Sequence, residues 1–329
     1  MTNAMLGGLF CLALATQAPL ANAQAEGHAI PGAHLDQREI VDSLGRKVTY
    51  YISHPKKARA PILLMIQGSG CTEVMHVDGP KTLSRLFDLL PFAAEGDFTV
   101  VAVEKPFAGG DVGGTAASCG AQFNADFTAE RWLVALRAAL DDARKSPWVD
   151  SSRTLVLGFS EGAVMASLLA SHDKVITDVI AMSGSGTTQL FDFVALAYRR
   201  CFDASECLAE IDRNVQAINA KPDSSTDFAW GHPYKRWTSF FRVDPGEELL
   251  RSKARIYIAF GTADDSVPAL SEEHAVARLR LAGRDLTVRR VPNAGHVLSE
   301  NPSGFDDLDR EFRAALKWFR EGAPANSVR

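Results

Sequence analysis

The pentapeptide GFSEG at residues 158–162 constrains the fold of this chain more than any other segment. It follows a short apolar run that ends at Leu157 and precedes a helical pattern that begins at Glu161. The glycines permit a tight, strained turn that raises the hydroxyl of Ser160 above the edge of a sheet. In another role, Ser160 would only be a polar N-cap of the helix. The strand–turn–helix context favours a nucleophile, and a nucleophilic serine needs a base and an orienting carboxylate.

Apolar runs and helical patterns alternate along most of the chain. The predicted strands are apolar on both faces, as is typical of strands buried in a mostly parallel sheet. They cover residues 61–66, 98–103, 155–157, 175–182, 256–260 and 286–291. The predicted helices cover residues 129–143, 161–170, 270–281 and 305–319. Two β-rich runs at 39–41 and 48–52 flank the turn sequence LGRK and predict an N-terminal antiparallel hairpin. The alternation predicts an α/β fold with a mostly parallel, doubly wound sheet.

Three further loops follow predicted buried strands. The sequence QGSG at 67–70 follows the first of them, and GTADDSVP at 261–268 and NAGH at 293–296 follow the last two. The second loop supplies two candidate carboxylates, Asp264 and Asp265, and the third supplies His296 as a candidate base. Glycines in the first loop would let its backbone approach a substrate closely.

Two other histidines are weaker candidates for the base. His274 lies inside the helical pattern SEEHAVARL and is expected at the surface. His232 lies in a stretch without clear strands. His296 is preferred to both because it follows the last predicted strand in a loop that contains glycine.

The four motifs together resemble those of the α/β-hydrolases, most closely the dienelactone-hydrolase and prolyl-oligopeptidase-type serine hydrolases. The resemblance covers about residues 62–319 and is least clear between about residues 184 and 252. It implies a catalytic triad in the chain order serine, acid, histidine. Those residues would be Ser160, Asp264 and His296, with Asp265 as the alternative acid. Asp264 is preferred because it precedes the Val-Pro pair by three and four positions, as in the family pattern.

The resemblance also implies an oxyanion hole built from backbone amides. One amide would belong to Glu161, directly after the nucleophile, and the other to Ser69, with Gly70 as the alternative. The implied chemistry is acyl transfer in two steps, which needs no metal and no cofactor. A dienelactone hydrolase proper would carry cysteine in place of Ser160, so that branch is disfavoured.

The alternation of strands and helices stops between about residues 184 and 252. Aromatic and turn residues are frequent there, and they either cover the site or form a core of their own. Ser160 precedes this stretch, whereas Asp264 and His296 follow it, and two independent domains could hardly divide one triad in this way. We therefore predict one domain over residues 24–329 with a largely helical cap insertion.

The first residues have the pattern of a secretory signal peptide. An apolar run over residues 4–15 is too short to span a bilayer and precedes Ala21-Asn22-Ala23, a typical cleavage site. The positive flank is reduced to the α-amino group, since no Lys or Arg precedes the run. The alternative is a buried N-terminal helix. Residues 1–23 are thus predicted to be removed on export to the periplasm or the medium, with no membrane anchor in the mature form.

Four cysteines would remain after Cys11 leaves with the signal peptide. An even number in an oxidising compartment suggests disulfides. Cys201 with Cys207 is favoured because the two are close in sequence, and Cys71 with Cys119 follows by elimination. Four free thiols are the alternative, and the spacing of Cys201 and Cys207 is wider than in usual zinc motifs.

Composition excludes several classes of function. The chain has 35 basic and 40 acidic residues, a net charge of −5, so no basic excess is available to neutralise the phosphates of a nucleic acid. Hydrophobic residues make up 46% and charged residues 23%, as in soluble globular domains and unlike disordered or multi-span membrane chains.

The leading prediction is an exported carboxylic-ester hydrolase that acts on a small-molecule substrate. A serine peptidase or amidase of the same fold is the alternative, although only Glu104 and Glu161 are candidates to bind a peptide amino terminus. A non-catalytic binding protein on a hydrolase scaffold is the third possibility.

Overall fold

A nine-stranded sheet runs through the centre of the protein. The computed structural model describes residues 27–30, 33–78, 81–84, 86, 88–109, 118–301 and 304–322. The predicted signal peptide, with Cys11, lies outside the described residues. In chain order the strands are β1 (Gly27–Ile30), β2 (Leu35–Val41), β3 (Lys47–Ser53), β4 (Ala60–Ile66), β5 (Met75–Asp78), β6 (Lys81–Ser84), β7 (Thr99–Val103), β8 (Val149–Phe159), β9 (Asp178–Met182), β10 (Phe228–Ala229), β11 (His232–Pro233), β12 (Arg255–Gly261) and β13 (Leu286–Val291).

The strand order in the central sheet is β1-β2-β3-β7-β4-β8-β9-β12-β13. Strands β1 to β3 pair antiparallel, and β3 joins β7 antiparallel. All pairs from β7 to β13 are parallel, which confirms the predicted mostly parallel sheet. The predicted N-terminal antiparallel hairpin is confirmed, with Ile40 opposite Val48.

Helices cover both faces of the sheet. They are α1 (Leu89–Glu95), α2 (Ala121–Asp126), α3 (Ala129–Ala143), α4 (Glu161–His172), α5 (Gln189–Arg200), α6 (Ala204–Ala220), α7 (Tyr234–Phe240), α8 (Pro245–Arg251), α9 (Ala269–Leu281) and α10 (Phe305–Glu321). Helices α3, α4, α8 and α9 contribute to one hydrophobic cluster, and α1 and α10 contribute to the other. The doubly wound arrangement is therefore confirmed.

Strand β4 shows why these strands are apolar throughout. Successive side chains of a strand point to opposite faces of the sheet. Ile62 and Leu64 pack in the cluster under α3 and α4, while Leu63 and Met65 pack in the cluster under α10. Because both faces are covered, no position along the strand is free for a polar side chain.

The predicted elements differ from the observed ones mainly at their ends. Helix α3 has its predicted bounds, since the Thr128 side chain caps it by accepting a hydrogen bond from the amide of Arg131. Strand β8 begins at Val149, earlier than predicted. The prediction missed its first residues because they are partly exposed and form no apolar run. Strand β9 begins only at Asp178. The stretch 184–252 is largely helical, as predicted, with α5 to α8 and the small hairpin β10–β11.

Candidate active site

The turn at Ser160 joins the end of β8 directly to the start of α4. The backbone of Ser160 has φ 58° and ψ −127°, a conformation that residues other than glycine rarely adopt. The flanking glycines have no room for a side chain. A Cβ on Gly158 would lie 2.0 Å from the carbonyl oxygen of Gly162, and a Cβ on Gly162 would lie 2.3 Å from the carbonyl oxygen of Ile66. The tightness of this turn therefore requires both glycines of GFSEG.

The structure brings Ser160, His296 and Asp264 into one hydrogen-bonded chain. His296 Nε2 lies 3.0 Å from Ser160 Oγ, and His296 Nδ1 lies 2.9 Å from Asp264 Oδ2. Asp264 is fully buried, and its Oδ1 accepts hydrogen bonds from the amides of Ser266 at 2.7 Å and Val267 at 2.9 Å. These bonds fix the carboxylate and leave one oxygen for the imidazole.

Asp265 does not reach the histidine. Its side chain is 60% exposed and pairs with Arg200 at 2.7 Å. The side chain of Asp264 thus turns inward from the same loop from which that of Asp265 turns outward. The two aspartates that the sequence left open have different environments, and only Asp264 contacts His296.

Neither competing histidine belongs to this hydrogen-bonded chain. His274 is exposed on α9. His232 lines the cavity beside Ser160, where burial and the neighbouring Arg236 lower its pKa to about 4. The carbonyl of His296 is held by a hydrogen bond from the Ser183 hydroxyl at 2.9 Å, a contact that sequence reasoning did not foresee.

Two cavities meet at Ser160. The first, about 210 Å³, runs under the segment α5–α8 and is lined by both polar and apolar side chains, among them Asp192, Phe193, Arg236 and Trp237. The second, about 290 Å³, lies towards α10 and is lined mostly by apolar side chains, among them Leu86, Phe159 and Phe312. Ser160 and His296 line both cavities, so the two cavities extend to either side of Ser160.

The candidate oxyanion-hole residues lie at this junction. Ser69 lines both cavities, and Glu161 lines the first. Gly70, the alternative to Ser69, is not among the described residues that line either one. Gly68 lies beside Ser160, since a Cβ on Gly68 would be in van der Waals contact with Ser160 Cβ at 3.8 Å. The structure therefore places the peptide between Gly68 and Ser69 beside the serine.

Three buried charges lie directly behind the turn. Lys105 Nζ lies 2.9 Å from Glu161 Oε1, and Arg236 Nη2 lies 2.5 Å from Glu161 Oε2. The side chains are 0%, 2% and 3% exposed for Lys105, Glu161 and Arg236. Burial alone would raise the pKa of Glu161, but the two cations lower it to about 2. Lys105 and Arg236 were not identified from the sequence, because neither belongs to a motif.

The cysteines form the two pairs that the sequence favoured. Cys71 is bonded to Cys119, with their Cα atoms 5.8 Å apart, and Cys201 to Cys207, with 6.5 Å. Within the described ranges, no group of three or more histidine, cysteine or acidic side chains could hold a metal ion. No described helix is long and apolar enough to cross a membrane.

The sequence matches a family model described as the alpha/beta hydrolase family over residues 63–308, which include all three residues of the hydrogen-bonded chain. No curated protein matches at a significant level.

Solved structures share the fold at low sequence identity. An acylaminoacyl peptidase from Pyrococcus horikoshii superposes with a TM-score of 0.61 at 14% identity, over 87% of this chain and 41% of the peptidase. Acetyl xylan esterase 1 from Thermoanaerobacterium sp. JW/SL YS485 superposes with 0.56 at 20% identity, over 89% and 87% of the two chains. A Klebsiella pneumoniae protein named as a dienelactone hydrolase superposes with 0.55 at 18% identity, over 87% and 98%. This chain thus spans about two fifths of the peptidase and most of the other two proteins.

Proposed function

Because the chain belongs to the alpha/beta hydrolase family, we propose that it is an exported serine hydrolase that cleaves carboxylic esters through an acyl-enzyme. The observation that carries this proposal is the chain of hydrogen bonds from Ser160 through His296 to Asp264. A strained turn, a nucleophile, a base and a buried carboxylate occur together beside two cavities of substrate size. We further propose that residues 24–329 form one domain with residues 184–252 as its cap.

In the proposed reaction, Ser160 Oγ attacks the ester carbonyl while His296 Nε2 takes its proton. Asp264 accepts a hydrogen bond from Nδ1 and stabilises the imidazolium. The amides of Ser69 and Glu161 bind the oxyanion of the tetrahedral intermediate. The C–O bond to the alcohol then breaks, and His296 returns the proton to that leaving oxygen. Water, deprotonated by His296, attacks the acyl-serine. The C–O bond to Ser160 Oγ then breaks, His296 returns the proton to Oγ, and the carboxylic acid leaves.

Ester cleavage is favoured over aminopeptidase activity because Glu161 and Glu104, the two candidates to bind a peptide amino terminus, have other partners. The carboxylate of Glu161 is occupied by Lys105 and Arg236, so it is not free to bind a substrate ammonium. Glu104 accepts hydrogen bonds from the amides of Val74 and Met75 and lines a different cavity. Export is supported by the two disulfides together with the signal-like N-terminal sequence.

The test combines labelling of the nucleophile with a comparison of substrates. A fluorophosphonate should label the wild-type protein and the variant Ser152→Ala, whose serine is exposed on β8, but not Ser160→Ala. We expect kcat/KM for p-nitrophenyl butyrate to exceed that for alanine p-nitroanilide by a factor of about 100 or more. A preference for the anilide would favour the peptidase alternative. A folded wild-type protein that is not labelled would instead favour a non-catalytic binding protein.

A further inference from the structure

The ammonium group of Lys105 has all three of its hydrogen-bond donors occupied at the proposed oxyanion hole. It donates to the carbonyl of Gly68 at 2.6 Å, to the carbonyl of Gly70 at 3.1 Å and to Glu161 Oε1 at 2.9 Å. A lysine ammonium offers three N–H donors, so none remains for a substrate. The ring of Phe127 packs against the cation at 4.5 Å. Lys105 is thus completely enclosed by the loop after β4, the turn at Ser160 and an aromatic ring.

The bond to Gly68 acts on the peptide group that carries the Ser69 N–H. The carbonyl of Gly68 and the amide of Ser69 belong to one planar trans peptide, and the described chain has no cis peptide bonds. The C=O and N–H of such a group point in opposite directions. Because Lys105 binds the carbonyl oxygen of Gly68, it also fixes the direction in which the Ser69 N–H points. The cation further polarises this peptide group, which makes the N–H a stronger hydrogen-bond donor.

The second amide of the proposed hole is connected to the same cation. Glu161 supplies its N–H to the hole, while its carboxylate bridges Lys105 and Arg236. Arg236 belongs to α7 and also donates to Gln189 of α5 at 2.8 Å. One short path of buried charges thus joins both amides to the segment that covers the site.

We propose that Lys105 is a positioning residue of the oxyanion hole, which orients the Gly68–Ser69 peptide and, through Glu161, holds it in register with the turn at Ser160. This inference rests on the proposed serine-hydrolase function. It predicts that Lys105 contributes to stabilising the tetrahedral intermediate and contributes little to binding of the ground-state substrate.

A buried ion pair elsewhere in the protein supplies the matched control. Arg46 is 5% exposed and bridges Asp42 at 2.6 Å and Asp126 at 2.5 Å. None of these three residues lines either cavity at Ser160. Arg46→Met therefore removes a buried cation from between acidic groups at a place where only stability should change. Both Lys105→Met and Arg46→Met are expected to lower the melting temperature.

The experiment measures ester hydrolysis together with inhibition by an alkyl trifluoromethyl ketone, which forms a tetrahedral adduct with a nucleophilic serine. Misplacing one amide should lower kcat of Lys105→Met for p-nitrophenyl butyrate by about 10- to 100-fold. KM should change by less than about threefold, since the lost interaction belongs to the transition state. The inhibition constant of the ketone should rise by the same factor as kcat/KM falls. Arg46→Met should keep kcat and the inhibition constant within about twofold of the wild-type values.

If Lys105→Met does not fold, Glu161→Gln is tested in its place. A neutral amide binds the Lys105 ammonium more weakly than a carboxylate does, so this variant should also lower kcat and raise the inhibition constant of the ketone. Full kcat in the folded variant, or a loss of kcat without weaker ketone binding, would overturn the role of Lys105. A wild-type protein that binds the ketone but cleaves only anilides would overturn ester specificity. The inhibition constant of the ketone in Lys105→Met relative to the wild-type protein would still test the role of Lys105. A wild-type protein that does not bind the ketone would overturn both proposals.

Discussion

At the scale of single residues, the backbone of Ser160 stores strain that the neighbouring strand ends must offset. A residue in such a conformation costs on the order of 1–3 kcal/mol. The amide of Ser160 donates to the carbonyl of Met182 at 2.9 Å, and its carbonyl accepts from the amide of Ala163 at 2.9 Å. Gly184 packs so closely that a Cβ there would lie 2.2 Å from the Ser160 carbonyl oxygen. The turn is therefore held by contacts with the end of β9 as well as by its own glycines.

Adjacent aspartates allow a matched test of the orienting carboxylate. Asp264→Asn should lower kcat by about 10³- to 10⁴-fold, because a neutral amide does not stabilise the imidazolium and can favour the wrong tautomer of His296. Asp265→Asn changes an exposed side chain and should leave kcat within about twofold. Both values come from hydrolysis of p-nitrophenyl butyrate. An equal loss in the two variants would contradict the assignment of Asp264.

At the scale of elements, the aromatic residues of the segment α5–α8 have different environments. Trp237 and Phe193 line the cavity beside Ser160 and also pack against Trp230 and Phe241 in a small core of the segment itself. Tyr198 and Phe202 are exposed and do neither. Some aromatic residues of the segment therefore cover the site and also form a core of the segment itself, so both interpretations of the sequence apply to part of it.

The two disulfides connect elements over very different chain lengths. Cys71 and Cys119 are 48 residues apart and link the loop after β4 to the segment before α2, whereas Cys201 and Cys207 are 6 residues apart and link α5 to α6. Loop-closure entropy predicts a stabilisation of about 4 kcal/mol for the first and about 2 kcal/mol for the second. Replacing each pair by serines and measuring unfolding in urea should show the larger loss for Cys71 and Cys119. The reverse order, or four reactive thiols in the denatured wild-type protein, would contradict this prediction.

At the scale of the whole molecule, three buried carboxyl groups make stability depend on pH. Burial raises the pKa of Asp192 to about 8 and the pKa values of Glu272 and Glu104 to about 7. The unfolded chain releases these protons near the ordinary values of 3.8 and 4.5, whereas the folded protein keeps them until about pH 7 to 8. The folded state thus binds more protons in this window, and these groups make stability fall as pH rises from about 4 to 8.

Asp192→Asn should reduce that fall. The amide cannot ionise, so the free energy of unfolding should decrease between pH 5 and pH 8 by at least about 1 kcal/mol less than in the wild-type protein. Asp265→Asn, at an exposed position, serves as the control and should preserve the wild-type slope. The measurement is urea unfolding across the pH range. An unchanged slope in Asp192→Asn would show that this carboxyl titrates alike in both states.

Local patterns in the sequence were sufficient for most of the fold. Continuous apolar runs predicted the strands that are covered on both faces, such as β4 and β12, and the 3.6-residue period predicted α3. They missed the edge strand β1, the hairpin β5–β6 and helices α1 and α2. These strands have 4 residues each and the helices 7 and 6, which is too short for a clear period. The same patterns identified the first residues of β8 poorly, because a partly exposed strand has no distinctive composition.

The sequence by itself determined the turn at Ser160 and the order of its partner loops, because these depend on residue types at close spacing and on the order of strands. For the four cysteines it favoured one pairing and left free thiols as the alternative. Only the tertiary structure decided which of Asp264 and Asp265 faces His296, since neighbouring residues in a loop differ by the direction of their side chains. It alone brought Lys105 and Arg236 to Glu161. These contacts join residues that are 56 and 75 positions apart in the sequence. A local sequence pattern cannot predict them, because only the packing of α4 and α7 against the sheet brings the partners together.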